Sequence, residues 1–513
     1  MSDSVSNPIA TPPTQPPRGR WDRLKRRCTA WLTRSRDDWK RHLLPHAFSA
    51  GLHLVALAVC AGIVVDSQMR ERITGLVSVF EEADRGPIVD QPLTLTDNLI
   101  DDRAQGNVLQ NVVDQLGDPQ TLVSVDVNDF APGDAVSELG GEGLANINFG
   151  DNTSGRSAGA RGTLVRKFGG NSASEAAVAA GLGWLTRHQL ADGSWSLDHT
   201  ECPDCNGQCT QPGTMKECRI AATALALLAY LGAGHSSQQG DYQPQVSRGL
   251  DAMVKRGKIT TQGGLDLRGE LADDHRHAAM YSQGLATLAL CEAYAMTKDE
   301  KLKSSAQAAV SFIVAAQDPI DGGWRYELRE AGDTSVVGWQ VMALKSAQNA
   351  GLTVPPAAFR GAERFLNTVQ SDGGSRYGYT DAKDVRIATT AAGLLCRMYL
   401  GWTRRDGGLK RGVIYLDRTK PSRNDMYYNY YATQVLHHWG GDEWTRWNDV
   451  LRDQLVATQH GPDRGHMAGS WDLADPHGSS GGRHYMTCLC VMTLEVYYRH
   501  LPLYQRDKIK VAF

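Results

Sequence analysis

Between residues 172 and 503 the apolar and small residues fall into two alternating patterns. One is apolar nearly all round and recurs six times: "RIAATALALLAYLGAG" from Arg219, "MYSQGLATLALCEAYAMT" from Met280, "TSVVGWQVMALKSAQNAG" from Thr334, "RIATTAAGLLCRMYLGW" from Arg386, "YYNYYATQVLHHWGG" from Tyr427 and "YMTCLCVMTLEVYYRH" from Tyr485. The other is amphipathic and precedes it, in segments that end at Gln189, Gln317, Gln370 and Gln459, with weaker copies at 245–257 and 407–418. A helix without a polar face is buried, and one with a single apolar stripe covers it. The pattern therefore predicts an all-α fold, an (α/α)6 barrel or toroid of six helical hairpins whose inner helices surround a central cavity.

The first 170 residues read differently. Segment 47–65, "AFSAGLHLVALAVCAGIVV", carries no formal charge and is long enough, at about 1.5 Å per residue, to cross a hydrocarbon core of roughly 30 Å. Residues 18–42 before it hold ten Lys/Arg against three Asp, and residues 73–150 after it hold fourteen Asp/Glu against two Arg. The basic flank predicts a cytoplasmic N-terminus. The expected organisation is a basic segment at 1–42, a transmembrane helix at 43–66, an acidic then Gly/Ser-rich, mostly disordered tether at 67–170, the toroid at 171–503 and a tail at 504–513. The chain is thus expected to be a single-pass protein of the inner (plasma) membrane with its toroid outside the cytoplasm, in the periplasm. A net charge of −3 and the lack of a basic recognition helix argue against nucleic acid as a partner. No particular protein partner is indicated.

The amphipathic segments run into similar turns: "QLADGSW" at Gln189, "QDPIDGGW" at Gln317, "QSDGGSRYGY" at Gln370 and a looser "QHGPDRGHMAGSW" at Gln459. A Gln at a helix end can satisfy orphan backbone groups, glycine allows the tight turn, and the aromatic covers it. With these turns the chain resembles the squalene cyclase and protein prenyltransferase β-subunit superfamily, whose Gln-x-x-x-Gly-x-Trp repeats stitch hairpins into a toroid. The resemblance implies a hydrophobic, isoprenoid-like small molecule in the central cavity.

It also implies where catalysis would sit. In the prenyltransferases an Asp, a Cys two residues later and a His at the start of the last inner helix bind zinc. Here Asp333 matches the first, but Ser335 stands at the cysteine position, and Met486 stands at the histidine position with His484 two residues earlier. The cyclases protonate their substrate from an Asp-x-Asp-Asp motif; the chain lacks it, and Asp381 with Asp384 is among the nearest arrangements. Asp333, Asp381, Asp384 and His484 are the candidate catalytic residues, although Asp333 before an apolar helix is also what an N-cap looks like. Candidate cavity residues are Tyr281, Trp324, Trp339, Tyr377, Tyr379, Arg386, Tyr427, Tyr428, Asn429, Tyr431, Arg483 and Tyr485, since aromatics with a few convergent polar groups suit a ligand pocket. Two other readings stay open: a non-catalytic binding or scaffold module, and a carbohydrate-active ring, for which no carboxylate pair stands out.

One loop carries its own signal. In "HTECPDCNGQCTQPGTMKEC", Cys202, Cys205, Cys209 and Cys218 follow His199 with C-x2-C-x3-C-x8-C spacing. Outside the cytoplasm four clustered cysteines read first as two disulfides, with a structural zinc site as the alternative cofactor reading. Cys291, Cys396, Cys488 and Cys490 lie in apolar segments and read as packing residues.

Overall fold

The computed structural model describes residues 153–475 and 478–504. The expected membrane span, the acidic stretch up to residue 152 and the end of the tail lie outside the described residues. Among the described residues no helix is long and apolar enough to cross a membrane.

Among the described residues twelve helices form six hairpins, each an outer helix followed by an inner one. They are α2 (Ser172–Arg187) with α3 (Arg219–Gly232), α4 (Gln243–Arg256) with α5 (Ala279–Thr297), and α6 (Glu300–Ala316) with α7 (Thr334–Ala350). The second half pairs α8 (Pro356–Val369) with α9 (Ile387–Tyr399), α10 (Gly407–Thr419) with α11 (Met426–Trp439), and α12 (Asp442–Thr458) with α13 (Gly482–Leu494). The segments at 245–257 and 407–418, weak copies in the sequence, are regular outer helices. Inner helices pack in the order α3, α5, α7, α9, α11 and α13, and α13 packs back on α3, so the ring closes. Burial follows the pattern: every residue of α3 after Arg219 is buried, whereas α8 buries Ala358, Gly361, Ala362, Phe365, Leu366 and Val369 on one stripe. Side chains cap the helix starts, with Asn171 on Ser174 N, Asp299 on Lys301 N, Asp333 on Val336 N and Asp425 on Tyr428 N.

Every outer-to-inner loop lies on one face of the ring, the joint face. There the Gln side chains tie each hairpin to the next. Gln189 Nε2 donates to the Gly193 carbonyl of its own turn and to Gln245 O on the following outer helix, both at 2.9 Å. Gln317 Nε2 does the same to Gly322 O (2.7 Å) and Ala358 O (2.9 Å). Trp195, Trp324 and Trp471 donate Nε1 to the Leu185, Ile313 and Leu455 carbonyls in the last turns of their own outer helices, where helix geometry leaves the carbonyls short of i+4 partners. Glycine is required because the next helix passes so close: Gly322 has φ +85, and a Cβ there would strike the Gly361 backbone. The fourth joint replaces the indole with Tyr377, whose hydroxyl accepts from Arg397 Nε (3.0 Å), while Arg397 Nη2 reaches Asn367 and Gln370. Two short antiparallel pairs decorate this face, β1 (Lys258–Ile259) with β2 (Leu265–Asp266) and β3 (Gln370–Ser371) with β4 (Arg376–Tyr377).

The opposite face is closed by both ends of the described chain, and here the expected disordered tether needs correction. Residues 153–170 are ordered: a single turn at Ser154–Arg156 leads into α1 (Ala158–Phe168), which packs on α14 (Val496–Arg499). An 11-residue helix is marginal alone. This one is held by burial of Leu164, Val165 and Phe168 and by Arg156, which Gly/Ser-rich composition conceals. Arg156 Nη1 donates to Glu292 (2.8 Å) and to Leu231 O (3.1 Å), Arg499 Nη2 pairs with Glu292 (3.1 Å), and Arg499 Nη1 pairs with Glu495 (3.1 Å). Burial alone would raise the Glu292 carboxyl, but the two guanidiniums hold it below its usual range. Burial prevails at Glu495, which is pushed up to about 8. About 40 Å³ of space remains beside this network, enough for ordered water only.

Candidate functional site

Around the start of α7 the joint face carries a group of polar and aromatic side chains. Asp333 is fully buried. Its Oδ1 accepts from Val336 N at 2.8 Å, so the N-cap expected from the sequence is present. Its Oδ2 lies 3.9 Å from Arg325 Nε, beyond hydrogen-bond reach. Burial pushes its carboxyl up to about 7, outweighing the helix amides and Arg325, with Glu330 adding to the rise. Above it the Tyr326 and Tyr379 hydroxyls share a 2.6 Å hydrogen bond. Arg325 stacks over both rings and Arg386 over Tyr379. His277 meets Tyr326 edge-on. Arg325 and Tyr326 are half-buried and reach solvent. The arrangement holds a carboxyl that is partly protonated near neutral pH under an arginine and tyrosine cover.

Deeper in the ring the aromatics fill the bore instead of lining it. Trp339 stacks on Tyr430 at 5.6 Å and meets Tyr431 edge-on, and Tyr431 meets Tyr427 at 5.0 Å. Trp339 and Tyr431 are 0% exposed, Tyr281 and Tyr485 1%, and Tyr427 2%. A cavity able to take an isoprenoid would leave some of these surfaces accessible. The expected central cavity is therefore corrected: aromatics of α7 and α11, two inner helices that are not neighbours in the ring, meet in the bore and close it.

Other candidates are placed elsewhere. Trp324 and Tyr377 belong to the joints. Tyr428 points to the outer layer, donating to Lys420 O (3.2 Å) and meeting Trp447. Asn429 holds both backbone groups of Ser422. Asp381 is exposed and caps a turn at Lys383 N, and Asp384 is paired to Arg386 at 2.7 Å, so these two form a solvated turn. His484 is buried on α13 with Nε2 2.9 Å from Ala222 O. It stands on the sixth hairpin, across the ring from Asp333 on the third. The zinc site implied by resemblance does not assemble around Asp333.

The cysteine loop also departs from expectation. None of the four is bonded to another. Cys202 Sγ donates to Arg187 O (3.2 Å), and Cys218 lies at the N-cap of α3. Cys205 and Cys209 instead converge with two histidines, His188 at the end of α2 and His466 in the loop before α13. Arg483, expected at a cavity rim, is fully buried beside them, donating to Thr210 O, Ser470 Oγ and Asp472. Sequence reading missed both histidines, although the first and sixth joints, which carry them, have the longest outer-to-inner loops. It also missed Arg156, Glu292 and Arg499, which have no local signature. A recess of about 560 Å³ lies on the outer wall beside Gln317, between Arg329, Arg360 and Arg364; none of the expected site residues lines it.

No family model and no curated protein matches the chain. Similar solved structures include an α-1,6-mannanase from Salegentibacter (10% identity, TM-score 0.45, covering 64% of this chain and 99% of that one). A cellobiose 2-epimerase from Bacillus thermoamylovorans gives 10%, 0.44, 61% and 95%, and a type II terpene cyclase from Scytonema gives 12%, 0.40, 64% and 97%. All are below a TM-score of 0.5 and bear no weight on function; the (α/α)6 toroid stands on its own closed set of helices.

Proposed function

We propose that this protein is a membrane-anchored, extracytoplasmic α/α toroid that acts as a binding or scaffold module. Its ligand, a glycan or peptide, docks on the joint face over Arg325, Tyr326, Tyr379 and Arg386. The filled bore carries this reading, because an engulfed isoprenoid would need space that Tyr281, Trp339, Tyr427 and Tyr431 occupy. Two further observations favour binding over prenyl transfer: Ser335 and Met486 are poor zinc ligands at the positions the resemblance assigns, and prenyl diphosphates are made in the cytoplasm. The anchor rests on the 47–65 segment and its basic flank.

The test uses the full chain in detergent micelles, screened against glycan and peptide arrays and, separately, extracted and read by mass spectrometry. Array binding that weakens at least about tenfold in Arg325→Ala and Tyr379→Ala supports the proposal. A co-purifying polyprenyl species would replace it with the isoprenoid reading.

A second reading has its own observation. Asp333, its carboxyl held near 7, can donate a proton if the Arg325–Tyr326 cover moves. Turnover of a candidate substrate that vanishes in Asp333→Asn while binding persists would favour this acid role.

A further inference from the structure

The ligand atoms of His188, Cys205, Cys209 and His466 lie within 4.8 Å of one another. Cys209 Sγ is 3.5 Å from His188 Nε2 and 3.3 Å from His466 Nδ1. A tetrahedral zinc with Zn–S of about 2.3 Å and Zn–N of about 2.0 Å would space a sulfur and a nitrogen roughly 3.5 Å apart. The group is therefore already near the size of a coordination shell.

We propose that these four side chains form a structural Cys2His2 zinc site that locks the ring at its seam. His188 Nδ1 lies 2.8 Å from Trp184 O, so it carries the proton and leaves the Nε2 lone pair directed at the cluster. Three residues of the set are buried, and His466 is half-buried, as a site filled from solvent would be. The surrounding chain is braced as ligand-bearing loops need to be. Arg483 grips Thr210, the neighbour of Cys209, and also Ser470 and Asp472 from the loop that carries His466. Arg187 Nη2 donates to Ala468 O at 2.6 Å in that same loop. Four protein ligands leave no open position, which marks a structural rather than a catalytic metal.

The location gives the site its purpose. His188, Cys205 and Cys209 belong to the first hairpin and His466 to the sixth, with Cys209 and His466 257 residues apart. A ring made from one chain is weakest where its ends meet, and a cross-link over so long a loop removes the most freedom from the unfolded chain. Cys202 and Cys218 are outside the set, so this differs from a four-cysteine site and from a pair of disulfides.

The test is metal content of the full chain purified in detergent without chelator, together with cobalt substitution and a count of free thiols. The expected result is about one zinc per chain and, with cobalt, the thiolate charge-transfer and ligand-field bands of a tetrahedral site. Cys202→Ser and Cys218→Ser should keep the metal. His466→Ala should weaken its retention against a chelator by at least about tenfold, and His466→Cys should restore it. A Cys205–Cys209 disulfide, a metal-free protein that takes up no cobalt, or zinc lost in Cys218→Ser but kept in His466→Ala would each overturn the assignment.

Discussion

Gln459 at the end of the sixth outer helix donates its side-chain amide to the carbonyl of Ala177 on the first, at 2.8 Å, and to Gly469 O at 2.9 Å. The joint that elsewhere links neighbours here links the chain's beginning to its end. Gly469, with φ +89, lets the backbone pass against Ala180 at the same point.

Replacing Gln459 with Ala removes two hydrogen bonds at the seam. The expected loss is about 2 kcal/mol, read as a lower denaturant midpoint. Hydrogen exchange should rise selectively in α2 and α12, and uniform protection would show that the seam does not depend on this amide.

Asp333 makes stability depend on pH. Its folded carboxyl titrates near 7 and its unfolded one near 3.8, so between those values the folded state holds a proton that the unfolded state has released. Stability contributed by this group therefore falls as pH rises from about 4 to 7 and levels off above, by an amount on the order of 4 kcal/mol for a shift of this size. Urea titrations at several pH values should show that fall, and Asp333→Asn should flatten it. The charged and titratable groups facing Asp333 are Arg325, Glu330 and Tyr427.

Arg156 ties the strap ahead of the ring to Glu292. Arg156→Met leaves a buried carboxylate with one guanidinium in place of two, a change expected to destabilise by about 3 kcal/mol. A chain begun at residue 171 should show a similar loss relative to one begun at residue 150. Equal stability of the two would mean that α1 is ornamental. Gly232→Ala probes the same network from the ring side, since a Cβ there collides with Glu495 and Arg499.

Removal of residues 47–65 should move the protein from the membrane pellet to the soluble fraction. In intact cells opened only at the outer envelope, protease should reach the ring and spare residues 1–42. Digestion of the N-terminal segment under those conditions would reverse the proposed orientation.

The sequence by itself determined the hairpin count, the inner and outer roles of the helices, and the joints, because helical periodicity and a recurring Gln-turn-aromatic are local signals that repetition reinforces. It also placed Asp333 at a helix start. Only the tertiary structure decided whether the bore is hollow: whether Trp339, Tyr430 and Tyr431 line a cavity or fill it depends on how far apart α7 and α11 stand, which no spacing along one helix encodes. The same holds for the cysteine loop. Local spacing grouped Cys202, Cys205, Cys209 and Cys218, but ring closure brings His466 to Cys209 across 257 residues and leaves Cys202 and Cys218 aside. Chain segments that meet at a seam share geometry without sharing sequence, so their chemistry becomes legible only once the ring has closed.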